Sequence, residues 1–343
     1  MIPASHGPRM SVLPPFAAAI GRIGLAVTSL LAVSACAPLV EPAGPSVTAP
    51  RAEGDKLIMA DGAALPLRAW LPEGQPRAVV IAVHGMNDYS NSFDAAGKQL
   101  AKSGIATYAY DQRGFGQAPH PGVWAGTATM VDDLKEARAA LGARHPGAPV
   151  YLLGESMGGA VAMVALAGPD PVAADGTILV APAVWGRANM NIIEKGALWL
   201  TAHTVPWFQL SGRGLKITPS DNIEMLRALG RDPLVLKETR ADAVWGLVNL
   251  MDRAFDDAGR VRGPVLMLYG RNDEIIPKTP SFDVMRRLPS GDARVAYYGK
   301  GYHMLLRDLE GETVVNDIAE WISDKSAPLP SGADAAAKKL LQP

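Results

Sequence analysis

The chain has 343 residues, 48% of them hydrophobic, and its 33 Lys and Arg against 34 Asp and Glu give a formal net charge of −1. That length holds one large α/β domain with additions and buries a sizeable core. With no basic excess, nucleic acid is not an expected partner, and a single cysteine excludes a disulfide within the chain.

At the amino terminus, Arg9 and Arg22 precede the apolar run Ile23 to Ala35, which has signal-peptide length and is too short to read as a membrane span. The run ends in Val33-Ser34-Ala35-Cys36, and Cys36 is the chain's one cysteine. This resembles the bacterial lipobox, in which small residues precede a cysteine that is lipidated where the leader is cut. The resemblance implies that residues 1–36 are a signal peptide, that Cys36 is the lipid attachment point, and that the protein is exported and membrane-anchored. An ordinary secretory signal is the alternative, and it would leave a secreted or periplasmic protein. Residues 37–54, rich in Pro, Ala and Gly, read as a tether.

Asp61-Gly62 between the apolar runs Lys56–Ala60 and Leu65–Leu71 is a hairpin signal. Short apolar runs then alternate with helical patterns. Strands are predicted at Ala78–Val83, Ile105–Tyr110, Val150–Leu153, Thr177–Ala181, Val265–Tyr269 and Arg294–Tyr298. Helices are predicted near Phe93–Ser103, Thr129–Arg144, Gly159–Ala167, Ser281–Leu288 and Thr313–Ser323. Such alternation predicts a mostly parallel sheet with helices on both faces, eight strands in all with the first pair antiparallel. One connection is too long: roughly 80 residues separate Ala181 from Val265, far beyond a normal loop. Helical segments carrying Trp185, Trp207, Phe208, Leu210, Met225 and Trp245 fill it, so 184–261 is expected to be a helical cap on a core formed by 55–183 and 262–326. Some of its apolar side chains should line a pocket at the strand ends. Residues 327–343 resemble the tether in composition and are expected to form a flexible tail.

The chemistry is concentrated at Gly154-Glu155-Ser156-Met157-Gly158, which stands between a strand and the helix-prone run from Ala160 to Leu166. This is a nucleophile elbow. A serine hydroxyl needs exposure to a base and nearby oxyanion donors, and a sharp turn provides both. An acid and a histidine should follow in the order serine, acid, histidine. Asp273 follows one strand directly and His303 follows the next. A neutral imidazole takes the serine proton, and a buried carboxylate fixes its tautomer. Asp111 and Glu274 compete for the acid's place. Asp111 precedes the serine and reads as a turn organiser with Arg113, and Glu274 is one residue off, so Asp273 is taken. The oxyanion donors are expected to be the backbone N–H groups of Met157 and of Met86, in His84-Gly85-Met86 after the strand Ala78–Val83. His84 is read as bracing that loop, with a second base as the other possibility.

These pieces, together with Tyr110-Asp-Gln-Arg-Gly-Phe-Gly116, Gly270-Arg-Asn-Asp-Glu-Ile-Ile-Pro277 and Gly301-Tyr-His303, resemble the α/β-hydrolase superfamily. The closer likeness is to its branch of monoacylglycerol lipases, lysophospholipases and serine aminopeptidase-like hydrolases. Gln117, where a Ser often stands, and Glu155, where a His is common, depart from that branch. The resemblance implies an α/β-hydrolase fold with catalytic Ser156, Asp273 and His303, and no metal or organic cofactor. The substrate it implies is a small amphiphilic ester, a monoacylglycerol or lysophospholipid, reached from a membrane through lipidated Cys36. An aminopeptidase-like amide hydrolase would need acidic residues for a free amine, for which Glu194, Asp221 and Glu224 are available in the cap. A non-catalytic binding lipoprotein is the third reading, and loss of a triad member would be its mark.

Overall fold

The computed structural model of the protein describes residues 37–341 apart from 213, 215, 290 and 292. Cys36 and the segment before it therefore lie outside the described residues. In chain order the main sheet uses β1 (Arg51–Glu53), β2 (Lys56–Ile58), β3 (Ala64–Trp70), β4 (Ala78–Val83), β5 (Ile105–Tyr110), β6 (Val150–Glu155), β7 (Gly176–Val180), β10 (Val265–Gly270) and β11 (Ala293–Tyr298). Their spatial order is β1-β2-β3-β5-β4-β6-β7-β10-β11. The pairs β1–β2, β2–β3 and β3–β5 are antiparallel, and the pairs from β5 through β11 are parallel. This is the α/β-hydrolase fold.

The sheet has nine strands rather than the expected eight, because Arg51–Glu53 pairs in register with Lys56–Ile58. Those residues belong to the stretch read as a tether, and the rest of that stretch is bound too. Val40 bridges Trp124, the Leu39 N–H reaches Asp242 Oδ2 at 3.3 Å, and the N–H groups of Val47 and Thr48 donate to the Ala60 carbonyl. Composition could not show this, since extended Pro-rich chain uses the same residues whether it hangs free or lies in a groove.

Parallel strands buried on both faces need apolar residues at every position, and β4 (Ala-Val-Val-Ile-Ala-Val) is buried throughout. Helices α1 (Asp94–Lys102) and α8 (Gly311–Ser323) cover one face, while α2 (Thr127–Gly142), α3 (Met157–Ala167) and α7 (Lys278–Arg287) cover the other. Every residue of α3 is buried, as expected of a helix apolar all round that lies beneath a cap. The carboxyl-terminal stretch read as a flexible tail holds α9 (Ala333–Leu341), packed against the edge strand β11 with Leu329, Ala333 and Ala337 buried. Covering that edge removes a row of unpaired backbone groups.

The cap consists of α4 (Ile192–Thr204), α5 (Ile223–Arg231), α6 (Ala241–Asp257) and a short ribbon, β8 (Gln209–Ser211) with β9 (Glu238–Arg240). Asn191 caps α4 with a full capping box, its Oδ1 accepting from Glu194 N–H while the Glu194 carboxylate accepts from Asn191 N–H. Of the cap aromatics singled out in the sequence, Trp207 and Phe208 are more than half exposed. Trp245 packs under Arg187 and against His203.

Candidate active site

Five segments leave the carboxyl ends of β4, β6, β7, β10 and β11 and meet at one cavity of about 340 Å³. Such ends are where an open α/β sheet places its site. Ser156 follows β6 directly, with φ 52° and ψ −115°, a left-handed backbone that costs a non-glycine residue about 1–3 kcal/mol. The turn is held by its own backbone: Ser156 N–H donates to the Val180 carbonyl, and the Ser156 carbonyl accepts from Ala160 and Ala183. Its glycines are sterically required. A Cβ on Gly158 would collide with the Val83 carbonyl, and one on Gly154 with the Gly158 backbone. Across the turn, a Cβ on Gly85 would lie 3.3 Å from that of Ser156, so the loop after β4 runs against the serine.

His303 and Asp273 are brought together, with His303 Nδ1 and Asp273 Oδ2 2.9 Å apart and both side chains buried. The other carboxylate oxygen accepts the N–H groups of Ile275 and Ile276, which fixes its orientation. Burial pushes the His303 pKa down, but the charge and hydrogen bond of Asp273 more than offset it, and the net shift is upward. Glu274, the competing acid, points elsewhere and accepts the N–H of Thr218. Ser156 and His303 line the same cavity.

Met157 opens α3, so its N–H lies at the positive end of that helix. Neither it nor the N–H of Met86 has a protein acceptor among the described residues. Met157 follows Ser156 in the chain, and Met86 follows Gly85, whose backbone runs against the serine; these are the two amides an oxyanion hole would use. His84 is wholly buried, its Nδ1 on the Gly85 carbonyl and its Nε2 accepting the Gln112 N–H. Burial holds its pKa below the usual value. It braces the loop and has no ring nitrogen left for a substrate proton.

Asp111 organises its turn, but through the N–H groups of Ser90 and Gln117 and not through Arg113. The Arg113 guanidinium instead grips Asp61 and Asp133. Glu194 caps α4, Asp221 accepts the Leu309 N–H and Glu224 pairs with Arg227, so none of the three cap acids borders the cavity.

The cavity has two kinds of lining. Cap residues Trp185, Met190, Val244, Leu247, Val248 and Met251 make an apolar wall. Asp88, Glu155 and Arg307, which the motif reading left without a role, line the cavity as well. Arg307 pairs with Asp88 at 2.8 Å and with Glu155 at 3.3 Å. Glu155 had been noted only as a departure, and Arg307 follows His303 by four residues in the same loop, a proximity that was the one available signal.

Residues 74–310 match the family model described as serine aminopeptidase, S33 (Hydrolase_4). The chain belongs to that family. It is 28% identical over 277 residues to the monoglyceride lipase of Rattus norvegicus, covering 79% of this chain and 90% of the rat protein. It is 25% identical to the monoacylglycerol lipase of Mycolicibacterium smegmatis over 258 residues, 74% of this chain and 90% of that one. Among solved structures, the monoacylglycerol lipase of Paleococcus ferrophilus aligns with a TM-score of 0.63 and 25% identity, over 76% of this chain and 99% of its own. Membership in this family, with lipases and esterases among its relatives, makes the chain an ester hydrolase.

Proposed function

We propose that the protein is a serine hydrolase that cleaves carboxylic esters of amphiphilic lipids, monoacylglycerol or lysophospholipid, through an acyl-enzyme. Ser156 attacks the ester carbonyl as His303 takes its proton, and Asp273 holds the imidazole and stabilises the imidazolium. The developing oxyanion rests on the N–H groups of Met86 and Met157. His303 then returns the proton to the leaving alcohol and activates water to release the acid.

The observation that carries this reading is the His303–Asp273 hydrogen bond at 2.9 Å, with His303 and a serine on a strained elbow lining one cavity that has an apolar wall. That wall suits an acyl chain. The relatives named as monoglyceride lipases support the substrate class. The aminopeptidase-like reading loses the cap acids it would draw on, since these are engaged away from the cavity. A lipid anchor at Cys36 of an exported lipoprotein would keep the enzyme beside such substrates.

Hydrolysis of a monoacylglycerol, a lysophospholipid and an aminoacyl amide by the chain lacking residues 1–36 tests the proposal. Ester cleavage that rises with acyl length, and that Ser156→Ala lowers by about 10⁴-fold or more, is expected. Equal turnover by the serine variant would overturn the mechanism, and cleavage of the amide alone would move the protein to peptidase chemistry.

A further inference from the structure

Residues 37–48 lie ahead of the stretch that the family model matches, which begins at residue 74, yet they are tied down along their length. On the core side, the N–H groups of Ala43 and Gly44 donate to Thr129 Oγ1 and Asp61 Oδ2, and those of Val47 and Thr48 to the Ala60 carbonyl. Toward its other end the segment meets the cap helix α6 and the tryptophan beneath it. Leu39 N–H donates to Asp242 Oδ2, Val40 bridges Trp124, and Glu41 N–H donates to the Trp124 carbonyl. Arg240, just before α6, orients the Asp242 carboxylate with two further hydrogen bonds. The Trp124 indole lies on Gly246, so closely that a Cβ there would stand 2.5 Å from the ring. Asp242 and Trp124 are both buried. Asp242 and Gly246 are four residues apart and so share one face of α6. The wall residues Val244, Leu247, Val248 and Met251 recur at i, i+3, i+4 and i+7, which is also a single face. At about 100° per residue the two faces are nearly opposite. The helix is therefore held between the cavity on one side and Trp124 with the docked segment on the other.

Resting on the lipid-ester reading above and its acyl wall, we propose that residues 39–41, with Asp242 and Trp124, form a strap that positions α6 and thereby sets the preference for acyl-chain length. Interiors are close-packed, so a helix that loses the contacts behind it shifts until it regains them. The strap removes that freedom. Its hydrogen bond to Asp242 holds the start of α6, and its pairing with Trp124 holds the ring on which the next turn rests. The wall then keeps the separation from Ser156 that a long chain fills, while a chain too short to reach the wall is indifferent to it. Docking runs through backbone N–H groups, and the side chains of Leu39, Val40 and Glu41 are exposed. Trp124 and Asp242 act only through α6 and are positioning residues.

The test takes the ratio of kcat/KM for monooleoylglycerol to that for monoacetylglycerol, which has the same alcohol part and no long chain. A variant that merely unfolds lowers both values by one factor and leaves the ratio alone. Leu39→Pro with Glu41→Pro removes both N–H donors and touches neither the core nor the cavity lining. The ratio is expected to fall about tenfold in that variant, mostly through KM for the oleoyl ester, with the acetyl ester cleaved as by the wild type. Leu39→Ala with Glu41→Ala keeps both donors and should match the wild type. Gly246→Ala probes the same joint from the helix: its Cβ against Trp124 pushes α6 toward the cavity, and the preferred chain should shorten. An unchanged ratio in the proline variant would overturn the strap while leaving the hydrolase intact, and a change in Gly246→Ala alone would assign the setting of α6 to Trp124 without it. A wild type inactive on the oleoyl ester would sink the acyl-wall reading and the strap's role with it.

Discussion

The corner around Ser156 and the cap are built on opposite terms. At the corner, backbone meets backbone: Gly158 lies against the Val83 carbonyl, Gly85 against Ser156, and the elbow is held by hydrogen bonds with Val180 and Ala183 of the neighbouring segment. In the cap, α4 buries only Ala202 and exposes Ile192 and Ile193 to more than three quarters of their surface. Its neighbour α6 contributes Leu247 and Val248 to the cavity wall. The proposed chemistry thus rests on positions with no freedom to vary, whereas the shape of the proposed acyl site depends on side-chain volume, which can change by degrees. Substitutions at the corner should act as switches and those in the cap as adjustments.

The largest effect should come from the corner's buried ion pair. Asp273→Asn is expected to lower kcat about 10⁴-fold, because the amide presents the wrong partner to His303 Nδ1 and favours the wrong tautomer. It should also move the pH dependence. His303 must be neutral to act as a base, so kcat/KM falls as pH drops through its pKa, which the Asp273 charge and hydrogen bond hold above the ordinary histidine value against the downward push of burial. With Asp273 neutralised, burial and Arg307 push the pKa down against the smaller upward pull of Glu155, and the acid limb should shift to lower pH. A limb that stays in place would mean that another group reports there.

Gly158→Ala comes next. The added Cβ meets a backbone carbonyl that cannot swing away, so the elbow must shift at an expected cost of about 2–3 kcal/mol in denaturant unfolding, with activity lost in what remains folded. In the cap, Leu247→Ala should cost only about 1–2 kcal/mol of transition-state binding for a long acyl chain and nothing for an acetyl ester. A uniform loss across chain lengths would show that Leu247 supports the fold and not the acyl site.

How much of this could be read from sequence follows the same division. The elbow, Asp273 and His303 were legible because each lies directly after an apolar run, at a place where the backbone dictates residue type. Nine strands instead of eight, the bound segment 37–50 and the helix Ala333–Leu341 were not, because low-complexity chain rich in Ala and Pro carries no periodicity that tells docking from freedom. The cap's place was legible from an overlong connection, yet its wall was not. The aromatics that stood out are largely outside the cavity, and the wall is drawn from the aliphatic face of α6, with Trp185 the one prominent ring among them. Arg307 was hidden for another reason. Its meaning depends on Asp88 and Glu155, which approach it only in three dimensions.

The smallest expected effect gives the sharpest form of the comparison, because it asks the same question of the same residue type in both regions. Gly196 sits inside α4, at a position where a Cβ would meet nothing within 4 Å. Glycine in a helix interior loses more backbone freedom on folding than alanine does, at a cost of about 0.5–1 kcal/mol. Gly196→Ala should therefore raise stability by about that amount and leave hydrolysis of a short ester unchanged, while Gly158→Ala lowers both. Opposite signs for one substitution would show that Gly158 is there for close approach and Gly196 is not. Should Gly196→Ala instead slow turnover of long-chain esters while stabilising the fold, α4 would be a helix that must move as substrate enters, and the division between a rigid corner and an adjustable cap would extend from volume to motion.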